Sequence, residues 1–152
     1  VTMASHTLGT FQIRIRNSGD GQIAEETWRN RDARTNITTP VLKDGFLYGL
    51  GTSRGRNSAF VCINHKTGKT EWTEPGFTDY ASVISMGDTL LIHGSHGTVT
   101  LLKATPTKFT QLGRIENASQ TSWTFPVYAG GVLYIKDGLR DGKNKLTALK
   151  LR

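Results

Sequence analysis

At 152 residues the chain has room for a single domain with a sizeable buried core. The apolar fraction is 36%, and no run approaches the ~18 apolar residues that a membrane-spanning helix needs, so no membrane span is expected. The formal charge of +7 would suit an anionic partner, but the basic residues are dispersed and the densest group, Arg29, Arg31 and Arg34, is short and lacks interleaved aromatics, so nucleic acid is not an expected partner.

Residues Val1 to His6 show no basic segment followed by an apolar one, so no signal peptide is visible, although a mature chain would lack one too. The single cysteine, Cys62, excludes an intrachain disulfide. Seventeen glycines and four prolines fall at turn-like positions, which favours many short strands. Strands are predicted at 10–16 and 22–29. Ala24-Glu25-Glu26 could suggest a helix, but the stretch is short and uncapped, and it reads as an outer strand. The next group is predicted at 38–42, 46–50, 59–63 and 69–73. It is followed by 80–85, 89–93, 98–103 and 109–115, then by 123–128, 132–136 and 145–150.

These strands repeat. Thr39-Pro40-Val41-Leu42-Lys43-Asp44-Gly45-Phe46-Leu47-Tyr48, Ala81-Ser82-Val83-Ile84-Ser85-Met86-Gly87-Asp88-Thr89-Leu90-Leu91-Ile92 and Phe125-Pro126-Val127-Tyr128-Ala129-Gly130-Gly131-Val132-Leu133-Tyr134 are each strand, glycine turn, strand. Asp44-Gly45 and Gly130-Gly131 suit primed two-residue turns, whose central residues both need positive φ. Val41, Val83 and Val127 are spaced by 42 and 44 residues, Trp28 and Trp72 by 44, and Phe60-Val61-Cys62-Ile63 precedes Leu146-Thr147-Ala148-Leu149 by 86. Val99-Thr100-Leu101-Leu102 takes that place in the middle copy. A period in the low forties is that of a four-stranded antiparallel propeller blade. The expected fold is therefore all-β, about three and a half blades of four antiparallel strands in one partial propeller domain, a segment of a larger ring. Residues 1–37 are read as the end of one blade, 38–78 and 79–119 as whole blades, and 120–152 as an incomplete one.

Phe60-Val61-Cys62-Ile63-Asn64-His65-Lys66-Thr67-Gly68-Lys69-Thr70-Glu71-Trp72, after the hairpin Pro40 to Tyr48, resembles the repeat of pyrroloquinoline-quinone-type β-propellers. The resemblance covers roughly residues 10–152, and Thr67-Gly68-Lys69 followed by Trp72 is its most specific part. It implies that Trp72, and with it Trp28, docks between neighbouring blades, making Trp28, Trp72, Gly68 and Thr67 structural docking residues. Asn64 departs from the family's aspartate. The middle copy has Lys103-Ala104-Thr105-Pro106-Thr107-Lys108 in place of Lys-Thr-Gly-Lys and ends on Arg114-Ile115 without a tryptophan. The resemblance also favours a periplasmic or extracytoplasmic location. Some members bind the quinone and others are scaffolds. A quinone-dependent dehydrogenase site implies calcium on acidic and amide oxygens, an aspartate base and commonly a vicinal disulfide. The lone Cys62 cannot form that disulfide, and no matching Glu, Asn and Asp set carries over.

Other candidates read as structural. His93-Gly94-Ser95-His96 offers two imidazoles three apart but no third ligand nearby, and His65 and His6 lie elsewhere. Asp137-Gly138-Leu139-Arg140-Asp141-Gly142-Lys143-Asn144 alternates oxygen ligands without the closing glutamate of a calcium loop. Cys62 sits mid-strand as a small buried residue. Asn36-Ile37-Thr38 and Asn117-Ala118-Ser119 match the glycosylation tripeptide, which matters only in a secreted eukaryotic protein. No catalytic, cofactor or metal residue is assigned. The leading expectation is a noncatalytic binding or scaffolding module that presents its loops to a protein or small ligand and can self-associate through open blade faces. The alternative is a fragment of a quinone-dependent alcohol or sugar dehydrogenase.

Overall fold

A computed structural model describes residues 2–5, 7–35, 38–51, 58–78, 80–138 and 144–151, with only the backbone described for residues 3–5. Every regular element among them is a strand, and the strands form four open antiparallel sheets in chain order. Sheet one holds β1 (Thr2–Ser5), β2 (Gly9–Ser18) and β3 (Gly21–Asn30). Sheet two holds β4 (Val41–Lys43), β5 (Phe46–Gly51), β6 (Ser58–Asn64) and β7 (Thr70–Phe77). Sheet three holds β8 (Ala81–Met86), β9 (Thr89–Gly94), β10 (Val99–Lys103) and β11 (Gln111–Ile115). Sheet four holds β12 (Val127–Ala129), β13 (Val132–Lys136) and β14 (Leu146–Lys150). Each sheet is a meander in which each strand pairs with its sequence neighbour. No described helix is long and apolar enough to cross a membrane.

The turn chemistry explains the hairpins. Asp44 and Gly45 have φ of 48° and 83°, and Gly130 and Gly131 have 57° and 79°, as primed turns require. Segment 21–31, where Ala24-Glu25-Glu26 could suggest a helix, is the strand β3. Two expectations need correction. β1 adds a third strand to sheet one at a place where the sequence shows no turn-flanked apolar pattern. β12 starts at Val127 and not at 123, because Pro126 has no N–H to give a ladder; β4 likewise begins directly after Pro40.

Alternation along each strand sends residues to opposite faces, and both faces of the middle sheets are covered. Leu47, Val61 and Ile63 of sheet two pack with Trp28 and Ala33 from the sheet-one side. The other face of sheet two, with Tyr48, Leu50, Phe60 and Cys62, meets Ala81, Val83, Leu90, Ile92 and Leu102 of sheet three. Leu91 and Val99 on the far face of sheet three meet Leu133 and Ile135 of sheet four. These faces also correct the alignment of the repeat. Val41 packs toward sheet three, whereas Val83 packs back toward sheet two, so the counterpart of Val41 is Ile84, 43 residues on. A one-residue slip would have turned the strand inside out.

The last strand pair of sheets one, two and three shares one irregularity. The register shifts opposite Gln12/Ile13, Cys62/Ile63 and Leu101/Leu102, leaving Thr27, Glu71 and Leu112 as the extra residues of β-bulges. The residue immediately after each bulge is Trp28, Trp72 and Gly113. This is a repeat feature that no residue type announces.

Candidate functional site

The seam between sheets one and two brings three of the four docking candidates into one neighbourhood. Trp28 Nε1 donates to the His65 carbonyl at 2.9 Å, and its ring lies over Gly68, where a Cβ would stand 2.5 Å from Trp28 Cε3. Gly68 also has φ of 74°, so both space and backbone call for glycine. Gln12 Nε2 donates to His65 Nε2 at 2.9 Å, and Asn30 Nδ2 donates to the Gly68 carbonyl at 2.7 Å. Asn64 accepts from the N–H groups of Lys66 and Thr67 through Oδ1 at 3.0 and 3.2 Å. An amide oxygen makes that turn as a carboxylate would. Thr67 is exposed, and its Oγ1 accepts from the Lys69 N–H at 3.3 Å within the turn.

Trp72 crosses the next seam in the same way. Its Nε1 donates to the Thr105 carbonyl at 2.9 Å, and its ring lies 6.1 Å from Tyr48, 6.2 Å from Phe60 and 5.8 Å, edge-on, from Phe109. Aromatic pairs of this kind contribute about 0.5–1.5 kcal/mol each beyond area burial. At the third seam the equivalent position is Gly113, so no indole from β11 crosses it.

A cleft opens beside that third seam. The β9–β10 turn is tied to the link between sheets three and four. Ala118 N–H donates to the Gly97 carbonyl at 2.8 Å, and Ser122 N–H to the Ser95 carbonyl at 3.0 Å. Two cavities flank this tie. The smaller, about 190 Å³, lies between Tyr80, Ser82, His93, Ser122, Trp123 and Phe125. The larger, about 530 Å³, is polar and bordered by His96, Ser119, Gln120, Asp137 and Lys145. His93 stands between them, lining the first while its Nε2 meets Ser119 Oγ, on the wall of the second, at 3.1 Å.

The mouth of the smaller cavity is aromatic. Trp123 stacks on Tyr80 with centroids 4.9 Å apart and planes inclined by 18°, yet 67% of Trp123 and 55% of Phe125 remain exposed. The floor is polar: Ser122 is buried and donates through Oγ to the Lys136 carbonyl at 2.7 Å. Burial holds the His93 pKa below its ordinary value, against the opposing charge of Asp137 and a backbone hydrogen bond with Thr124, so the ring is neutral at pH 7. The exposed face of the Trp123 indole is open to stacking by a flat ring.

The other sequence candidates do not converge here. His93 is buried, whereas His96 is exposed on the larger cavity. Cys62 lies in the core between sheets two and three, and burial pushes its thiol up to about 12 despite a hydrogen bond with Tyr48 that acts the other way. Among the described residues no three His, Cys, Asp or Glu side chains meet. His6, Asn36, Ile37 and residues 139–143 of the candidate calcium loop lie outside the described residues. Asn117 is described, exposed and at φ of 54°. Sequence reasoning missed Tyr80, Trp123 and Phe125. The available signal was that Trp123, alone of the three tryptophans, falls outside the repeat register.

No protein-family model matches this chain, and no curated protein matches it.

Proposed function

We propose that this chain is a noncatalytic binding module built from repeats of the pyrroloquinoline-quinone-like propeller type, with the cleft beside the seam of sheets three and four as its ligand site. One observation carries the reading. Trp123 and Phe125 stay exposed at the mouth of a cavity with a buried polar floor, at the cost of leaving large apolar rings in water. The ligand class that fits has a flat or ring-shaped face and a hydroxyl- or amide-bearing edge. A nuclear magnetic resonance titration with a panel of methyl glycosides, nucleosides and indole derivatives tests it. Binders should shift the Trp123 indole N–H and lose affinity at least about tenfold in Trp123→Ala, as for truncation of a stacking aromatic. A panel in which nothing moves that resonance refutes the reading.

The exposed indole also offers the flat surface on which a quinone could lie, which favours the dehydrogenase-fragment reading as the second choice. Adding pyrroloquinoline quinone with calcium to the same titration separates the two. Tight binding with alcohol-dependent dye reduction supports the second, and its absence leaves the first.

A further inference from the structure

The repeat supplies an internal comparison for the seam between sheets three and four. On the face of sheet two turned toward sheet three, Leu50 is fully buried in the apolar core. Its counterpart 43 residues on is His93. At the matching place on the receiving sheet, the earlier seam has Gly94, and 43 residues on the later seam has Asp137. His93 and Asp137 are each 2% exposed, and Ser95 and Ser122, joined by a backbone bond, are buried as well. A leucine and a glycine have given way to a buried imidazole and a buried carboxylate. Packing alone does not ask for such groups, because burying them costs stability. Departures from a fold's own pattern collect at functional sites.

The link joining the two sheets carries both cavities along its length. Asn117, Ser119, Gln120 and Thr121 border the larger, and Ser122, Trp123 and Phe125 border the smaller. Thr121 and Ser122 are consecutive, so a linear ligand lying along the link passes from one cavity to the other within about 3.8 Å of chain. The smaller cavity, about 190 Å³, falls short of the roughly 300–1,000 Å³ of a whole-ligand site and has the size for one ring. Tyr80 covers one face of the Trp123 indole, which leaves the other as a platform. Among the described residues no Asp, Glu, Lys or Arg borders this cavity. Thr38 does, and its Oγ1 is buried without a hydrogen-bond partner. The larger cavity combines the amides of Asn117 and Gln120 with one carboxylate, Asp137, and one ammonium, Lys145.

We propose that the ligand of this cleft is a neutral oligosaccharide, with one ring on Trp123 and the next in the larger cavity. The proposal rests on the reading of the cleft as a ligand site and names the class of ligand. The C–H face of a pyranose is weakly positive and lies well on the negative face of an indole. Each sugar hydroxyl both donates and accepts, which suits amides, a carboxylate and an ammonium alike. A phosphorylated ligand would call for a cluster of cations, whereas the one lysine on the wall is balanced by Asp137.

The test is a titration of the Trp123 indole N–H resonance with cellotriose, maltotriose, chitotriose and mannotriose, each beside its methyl monosaccharide. At least one trisaccharide should bind, at least about tenfold more tightly than its monosaccharide, as one or two net hydrogen bonds would give. Its affinity should be unchanged between about 50 and 500 mM salt, since no ion pair forms. Gln120 and Lys145 are exposed, so Gln120→Ala and Lys145→Gln should fold, which circular dichroism checks. Each should weaken the trisaccharide several-fold and leave the monosaccharide unchanged, whereas Trp123→Ala should weaken both. If no saccharide moves the resonance while nucleosides or indole derivatives do, the class is overturned and the cleft remains a ligand site. If nothing moves it, both fall. A trisaccharide that binds no tighter than its monosaccharide, or ignores both wall variants, overturns the two-cavity ligand. An affinity that falls with salt overturns its neutrality.

Discussion

Replacing Gly68 with alanine tests the docking of one sheet on the next at a single carbon atom. The added Cβ would stand 2.5 Å from Trp28 Cε3 and 2.6 Å from Cδ2, well inside contact distance, so the indole must move. Moving it breaks the Nε1 bond to the His65 carbonyl, a loss of about 0.5–1.5 kcal/mol. The φ of 74° adds about 1–2 kcal/mol for a residue with a side chain in the left-handed region. Together with disturbed packing against Leu47 and Ile63, the expected loss is about 2–4 kcal/mol. Urea unfolding followed by far-ultraviolet circular dichroism measures it. The informative comparison is Gly68→Ala in a Trp28→Ala background, where the steric part vanishes and only the backbone cost of about 1–2 kcal/mol should remain. An equal loss in both backgrounds, or a loss below about 1 kcal/mol in the wild-type background, refutes the docking argument.

Two further outcomes follow from buried titratable groups. Cys62 should resist thiol reagents at pH 8 in the folded chain and react once urea unfolds it, since burial raises its pKa to about 12; rapid labelling of the native chain would contradict its placement. His93 is neutral in the fold because burial lowers its pKa below 6.5. Its contribution to stability is thus complete above the ordinary histidine value and is lost as the pH falls through that value toward the lowered one. Urea midpoints should drop between pH 7.5 and 5 more steeply in the wild type than in His93→Gln, and equal slopes would count against a neutral buried ring.

The repeat was legible because it is written in features that backbone sterics and alternation enforce. Asp44-Gly45 and Gly130-Gly131 call for hairpins, and Phe60 to Ile63 reads as a strand buried on both faces. Trp72 was marked by its spacing of 44 residues from Trp28, Gly68 was singled out only through the resemblance, and the geometry at Gly68 supplies a physical reason for the glycine. The bulge before Trp28 and Trp72 left no such trace, since Thr27, Glu71 and Leu112 share no chemistry and only ladder register defines it. That is also why Gly113 could not be recognised as the third member. β1 was illegible because four residues without an apolar alternation give no periodic signal. The cleft was illegible for a different reason. Tyr80, Trp123 and Phe125 were read as strand residues at 80–85 and 123–128, but they lie in the links before β8 and β12, and their meeting depends on how those links cross.

The placement of Gly113 makes the arc mechanically uneven. At two seams an indole from one sheet is latched by a hydrogen bond into a turn of the next, so neither seam can part without breaking that bond and pulling a ring out of its seat. At the third seam the latch is missing, and Leu91, Val99, Leu133 and Ile135 hold the sheets together without it. The link between sheets three and four serves instead as the strap: it bonds to sheet three at Ser95 and Gly97 and to sheet four at Lys136 and Gly138. The cleft with its stacked Trp123 lies along this strap, so a ligand seated there would bear directly on the segment that joins the last two sheets.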